Sequence, residues 1–119
     1  TLQAAIAACH ARATTADATD WPRIAALYAR LARAAPSPVV ELNRAVAVGM
    51  ASGPAAGLAL LDAIASDPAL ARYPWLASAR GDLLFRLGRR EEARDAFARA
   101  ASLTHNARDR ALLLARANR

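Results

Sequence analysis

The sequence repeats itself at an interval of about 36 residues, and this internal repeat limits the folds that the chain can adopt. Displacing the chain by 36 residues places Gly57 on Ala93 and Leu61 on Phe97. Tyr28, 33 residues before Leu61, occupies the equivalent position in an earlier unit. A recurrence of this size is typical of helical repeat proteins, in which each unit is a pair of helices. We therefore expect an all-α chain of about three helical hairpins.

Proline, glycine and short polar segments divide the chain into segments of helical length. Alanine, the best helix former, is abundant in all of them, and apolar residues recur at steps of three and four. Asp20, Asp67 and Asn106 precede helical segments and are predicted to cap them. The predicted helices are 2–13, 21–34, 38–51, 54–65, 75–87, 89–103 and 107–117, with room for a short turn at 68–72.

The last unit resembles a tetratricopeptide repeat. It carries the spacing G-x6-G-x4-A-x3-F-x2-A, and in that repeat Gly81 and Ala93 let two helices approach, Gly88 turns the chain and Phe97 fills the gap to the next hairpin. Arg80 departs from the repeat, which favours leucine there. The residues expected to pack the hairpins are Tyr28, Ala45, Gly57, Leu61, Gly81, Gly88, Ala93, Phe97 and Ala100.

Pairing the predicted helices gives hairpins 2–34, 38–65 and 75–103, followed by a capping helix at 107–117. A chain of 119 residues has the size of one domain, so we expect one right-handed solenoid of stacked hairpins. The end of a solenoid needs a polar outer face. The arginines that the capping helix would present to water are Arg108, Arg110, Arg116 and Arg119.

Stacked hairpins form a concave surface from their first helices, and here that surface is predicted to be apolar. Such a groove can hold a helix or an extended segment of a protein partner. Its apolar Leu2 and Ile6 would also allow the chain to associate with itself. The predicted binding residues are His10, Leu42, Val46, Met50, Trp75, Asp82, Phe85 and Arg86.

Several polar residues have a structural interpretation beside the functional one. A lone histidine such as His10 is more often structural than a ligand, and Asn43 with Arg44 can be a binding pair or part of the packing. Arginine is rarely buried without a partner, so we favour a structural role in which Arg44 and Arg80 span hairpins to form ion pairs. The candidate acceptors are Glu41, Asp62 and Asp82.

The basic charge of the chain does not by itself indicate a nucleic-acid-binding protein. The net charge is +6, and all 16 basic residues are arginine, which would suit an anionic partner. The densest basic segment, Arg86 to Arg94, is interleaved with Glu91 and Glu92 at the spacing of helical ion pairs. It also lacks the aromatic residues on which bases stack. We therefore do not expect direct contact with DNA.

Catalytic and membrane functions find no support in the sequence. There is no glycine-rich phosphate loop and no serine or cysteine with a matched histidine, and the single cysteine, Cys9, cannot form an intrachain disulfide or a cysteine cluster for zinc. The apolar stretches are shorter than the roughly 20 residues of a membrane span. We expect no enzyme activity, no metal, no cofactor and a cytoplasmic protein.

Five segments resemble the C-terminal extension of a group of bacterial extracytoplasmic-function sigma factors. They read LQAAIAACHARA at 2–13, TDWPRIAALYARL at 19–31, PSPVVELNRAVAV at 36–48, GPAAGLALLDAI at 53–64 and ARGDLLFRLGRREEARDAF at 79–97. The segments at 19–28 and 36–48 are the most specific. In that family the extension is tetratricopeptide-like and follows the two sigma domains that bind RNA polymerase core and the promoter, which would be missing from this chain.

The resemblance implies a regulatory domain in transcription initiation. Such a domain would act through proteins: its own sigma domains, the RNA polymerase core or a signalling partner. A free-standing tetratricopeptide-like scaffold unrelated to transcription is the alternative, and a basic helical nucleic-acid binder is a third.

Overall fold

The computed structural model describes residues 1–12 and 19–119, and in these ranges every regular element is helical. The all-α prediction is therefore confirmed for the described residues. The α-helices are α1 (Leu2–Arg12), α2 (Trp21–Ala34), α3 (Pro38–Ser52), α4 (Pro54–Ile64), α5 (Pro74–Arg86), α6 (Arg90–Leu103) and α7 (Ala107–Ala117). A 3₁₀ turn at Pro68–Leu70 lies within the predicted short turn. Residue 13, the predicted end of the first helix, lies outside the described ranges.

The predicted capping residues begin their helices as expected. Asp20 accepts a hydrogen bond from the backbone N–H of Arg23 at 3.2 Å, and Asp67 accepts one from that of Ala69 at 2.9 Å. Asn106 accepts two, from Arg108 at 2.9 Å and Asp109 at 3.2 Å. These bonds satisfy N–H groups that have no partner within a helix.

The chain forms two compact units, Thr1–Leu60 and Leu61–Arg119. The boundary falls within α4, inside the predicted middle hairpin. In the first unit α2 packs on both α1 and α3. Its core contains Ile6, Cys9, Ile24, Leu27 and Ala47, with Tyr28 and Leu31 packed against it.

Close packing of α3 and α4 depends on Gly57. A Cβ atom at Gly57 would lie 2.7 Å from the carbonyl oxygen of Ala45 and 2.7 Å from Cα of Gly49. Two helices can come this close only where side chains are absent or small. The predicted packing role of Ala45 and Gly57 thus has a direct steric cause.

The second unit packs α6 between α5 and α7. Phe97 is fully buried in α6 and lies against Gly81 of α5. Gly88 turns the chain between these helices at φ +79°, a left-handed conformation that glycine adopts without strain. Other core residues of this unit are Leu83, Leu84, Ala93, Ala100 and Leu113. None of the helices in residues 1–12 and 19–119 has the length and apolar character that crossing a membrane requires.

Candidate functional site

A cavity of about 760 Å³ lies in the second unit, among the end of α4, the 3₁₀ turn, α5 and α6. The segment before α5 shapes it. Asp67 fixes the start of the 3₁₀ turn, Leu70 is 1% exposed beneath it, and Pro74 begins α5. A polar cap, a buried leucine and a proline therefore hold this turn in place beside the two helices.

The lining of the cavity is mainly apolar. Leu61, Leu70 and Leu84 are buried, so their side chains form a fixed floor. Alanines also line the cavity, and their side chains are shorter than those of the leucines. We use the name floor for six apolar residues of the lining, namely Leu61, Leu70, Leu76, Ala77, Leu84 and Leu103.

Charged side chains also line the cavity. Arg80 of α5 pairs with Asp62 of α4, and Glu92 of α6 accepts a hydrogen bond from Nε of Arg89 at 3.1 Å. Asp95 and Arg99 are exposed one turn apart on the same helix. We call these charged residues the rim, namely Asp62, Asp67, Arg80, Glu92, Asp95 and Arg99.

The ion pairs expected for the two inner arginines are present. Arg80 pairs with Asp62, and Arg44 pairs with Glu41 at 3.1 Å within α3. Arg80 replaces the leucine that the repeat favours, so this position carries a charge at the cavity instead of an apolar side chain. Both arginines have carboxylate partners, but only the pair of Arg80 joins two of the predicted hairpins, since that of Arg44 lies within α3.

The structure corrects the predicted binding surface in the first unit. Leu42 is only 2% exposed, so its side chain cannot belong to an open surface. Val46 and Met50 are half-buried. His10 is exposed and meets the ring of Trp21 edge to face at 5.5 Å between centroids, which is an aromatic packing contact.

In the second unit the C-terminal arginine covers part of the predicted binding surface. Cζ of Arg119 lies 3.9 Å from the ring centroid of Phe85, and its Nη2 donates to Asp82 at 3.5 Å. Arg119 is exposed, as expected, and its guanidinium group also contacts Phe85 and Asp82. Trp75 is 39% exposed and Arg86 is also exposed.

The predicted binding residues of the second unit do not line the cavity. Trp75, Asp82, Phe85 and Arg86 are absent from its lining, which uses other residues of α5. The cavity was not predicted, because the repeat pattern indicates only the face formed by the first helix of each hairpin. The departure of Arg80 from the repeat, beside the charges of α6, is the pattern that could have indicated it.

The densest basic segment forms a salt-bridged surface in part. Arg89 pairs with Glu92, and Arg90 lies 5.8 Å from the centroid of Phe85. Arg86 and Arg94 are exposed. Across residues 1–12 and 19–119, no group of three or more His, Cys, Asp or Glu side chains is placed to hold a metal ion.

Comparison with known proteins identifies a bacterial relative of similar sequence. A protein of Rhizobium meliloti, named only as uncharacterized, is 49% identical over 112 residues, which are 94% of this chain and 26% of the relative. The chain thus spans about a quarter of the length of the relative that it matches. No protein family model and no solved structure matches the chain.

Proposed function

We propose that this chain is a protein-binding domain whose hairpins stack as a right-handed tetratricopeptide-like solenoid, closed by α7. The single observation that carries the binding function is the cavity of the second unit, with its leucine floor and charged rim. Apolar contact supplies binding energy, and charged groups at the edge select the partner.

A protein suits this cavity better than a nucleic acid does. Four rim residues are carboxylates, Asp62, Asp67, Glu92 and Asp95, and two are arginines. Carboxylates repel the phosphates that dominate nucleic-acid affinity. For the arginines elsewhere on the chain we propose no binding role: they keep the protein soluble and form surface ion pairs.

The proposed context is transcription initiation. The resemblance of residues 19–28 and 36–48 to the sigma-factor extension supports this context. About three quarters of the Rhizobium meliloti relative lies outside the matched segment, a length that would accommodate further domains. The domain would regulate initiation by contacting the sigma domains, the polymerase core or a signalling partner.

The test uses the whole chain as an affinity-tagged bait. The two preys are purified RNA polymerase core and the part of the Rhizobium meliloti relative outside the matched segment. We expect the chain to retain at least one of them. Leu76→Glu places a charge in the floor and should abolish retention, whereas Leu112→Glu, at an exposed position of α7, should leave it unchanged.

The outcome separates the two candidate functions. If the wild-type chain retains neither prey, the proposed contacts with the polymerase core and the sigma domains are wrong, and a separate signalling partner or a free-standing scaffold remains as the alternative. If both substitutions reduce retention equally, the cavity is not the binding site.

A further inference from the structure

We infer that the cavity of the second unit receives an amphipathic segment that carries arginine or lysine beside its apolar anchors. This inference rests on the proposed function, because it names the chemistry of the protein partner. Two independent features of the cavity lead to it, its charge and its size.

The charge of the rim is opposite to that of the chain. Four of the ten acidic residues in the sequence line this one cavity, together with two of the sixteen arginines. The chain as a whole carries +6. Counting Arg89, which pairs with Glu92, the site still has four carboxylates and three guanidinium groups. This local excess of carboxylates on a basic protein favours a cationic group at that place and disfavours an anionic one.

The rim carboxylates differ in whether they already form an ion pair with an arginine of the same chain. Asp62 pairs with Arg80, and Glu92 pairs with Arg89. Asp95 is exposed and has no ion pair or side-chain hydrogen bond within the described part of the chain. Asp95 is therefore a rim carboxylate that an incoming guanidinium or ammonium group can pair with, without displacing an existing partner.

The volume of the cavity exceeds the needs of a single anchor. An apolar cavity of about 150 Å³ already holds benzene, whereas this cavity measures about 760 Å³. Ala77 and Ala96, one from each of the two packed helices α5 and α6, line the cavity with short side chains. A helix that presents apolar side chains at i and i+4 fills such a groove with more than one anchor.

Three synthetic peptides test the inference with the whole chain. They share leucines at i and i+4 and differ only at the flanking positions, which hold arginine, glutamine or glutamate. Fluorescence anisotropy of labelled peptide measures the affinity. The arginine peptide should bind at least about tenfold more tightly than the glutamate peptide, and its affinity should fall as salt rises.

A matched pair of variants locates the contact. Asp95→Arg should weaken binding of the arginine peptide by about tenfold. It should also reduce the ratio of the affinities for the arginine and glutamate peptides. Glu91→Arg is the control, because Glu91 is an exposed carboxylate of the same helix that does not line the cavity. Circular dichroism of both variants verifies that the helices are retained.

Two results overturn the inference: equal affinity for the arginine and glutamate peptides, or equal effects of Asp95→Arg and Glu91→Arg. These failures differ from failure of the proposed function. A chain that retains polymerase core or the relative's remaining part, yet ignores peptide charge, refutes only the basic-segment inference. A chain that prefers the arginine peptide but retains neither prey refutes only the proposed contacts with the polymerase core and the sigma domains.

Discussion

The ring of Phe97 lies directly against the backbone of Gly81. A Cβ atom added at Gly81 would lie 2.9 Å from Cζ of Phe97 and 3.0 Å from Cδ1, well inside the favourable separation of two carbon atoms. Both residues are buried, Gly81 in α5 and Phe97 in α6. The missing side chain of Gly81 therefore sets how closely the two helices approach.

Gly81→Ala should destabilise the second unit. Overpacking a core costs about 1–3 kcal/mol, and the better helix propensity of alanine returns up to about 1 kcal/mol. We expect the free energy of unfolding to fall by about 1–2 kcal/mol, measured by urea denaturation.

A smaller residue at position 97 tests the cause. Phe97→Leu is destabilising alone, but it removes the ring atoms that a Cβ at position 81 would strike. The double variant should therefore lose less stability than the two single losses added together. Strict additivity would show that the Gly81 contact does not limit the packing.

Gly57→Ala should cost more than Gly81→Ala. Its Cβ would meet backbone atoms, the oxygen of Ala45 and Cα of Gly49, both at 2.7 Å, and backbone cannot rotate away as a ring can. We expect a loss of about 3 kcal/mol, at the upper end of overpacking costs. The measurement is again the midpoint of urea denaturation. An unchanged dependence of the unfolding free energy on urea concentration would show that only the stability has changed.

Gly53→Ala is the matched control for Gly57→Ala. Gly53 has φ +109° with nothing within 4 Å of an added Cβ, so its substitution tests backbone strain without a steric clash. We expect a cost of about 1–3 kcal/mol there, because this extended backbone conformation with positive φ is essentially restricted to glycine. If Gly57→Ala cost less than Gly53→Ala, the close approach of α3 and α4 would not be the limiting feature.

Burial raises the pKa of the Tyr28 phenol. The folded chain therefore keeps this proton to higher pH than the unfolded chain, in which the pKa of tyrosine is about 10. Stability is retained below that pH and is lost as the pH rises from there through the raised pKa. Tyr28→Phe should show a smaller alkaline loss in denaturation measured at several pH values.

The other tyrosine provides the comparison for this experiment. Tyr73 lies in the second unit, and Tyr73→Phe retains Tyr28, so the alkaline loss should persist in that variant. An unchanged alkaline loss in Tyr28→Phe would mean that another group causes it.

The helices could be predicted from the sequence because their ends are set by local chemistry. Proline can occupy the first turn of a helix but not its interior, and Asp20 and Asn106 supply side-chain caps without help from distant residues. The end of α4 and the start of α6 each differ from the prediction by a single residue. Gly57 and Gly81 could also be predicted as positions where two helices approach closely, because each occupies a small-residue position of the repeat pattern.

The binding surface could not be predicted in the same way, because it depends on tertiary contacts. The exposure of Leu42 depends on what packs over it, and the helical period gives only the face on which it lies. The cavity depends on where the turn at Pro68–Leu70 places Leu70 relative to α5 and α6. Arg119, far from Phe85 in the sequence, could not be assigned to that ring by any local pattern.

Arg119→Ala should destabilise the second unit modestly. The guanidinium lies over Phe85, with its Cζ 5.4 Å from the centroid of Phe97, and its ion pair with Asp82 is long at 3.5 Å. A cation–π contact at an exposed site contributes about 0.5–1 kcal/mol, and an exposed ion pair about 0–1 kcal/mol. We expect a total loss of about 1 kcal/mol by urea denaturation.

Double-variant analysis separates the aromatic contact from the ion pair. Arg119→Ala combined with Phe85→Leu should show a coupling energy of about 0.5–1 kcal/mol. Arg119→Ala combined with Asp82→Asn should show a smaller coupling energy.

Arg119→Lys keeps the charge but loses the planar group that stacks on the ring, so its stability should fall between those of wild type and Arg119→Ala. Arg108→Ala, at an exposed position of α7, should leave stability nearly unchanged. The absence of coupling between Arg119 and Phe85 would show that the C-terminal arginine does not hold α7 to the preceding hairpin.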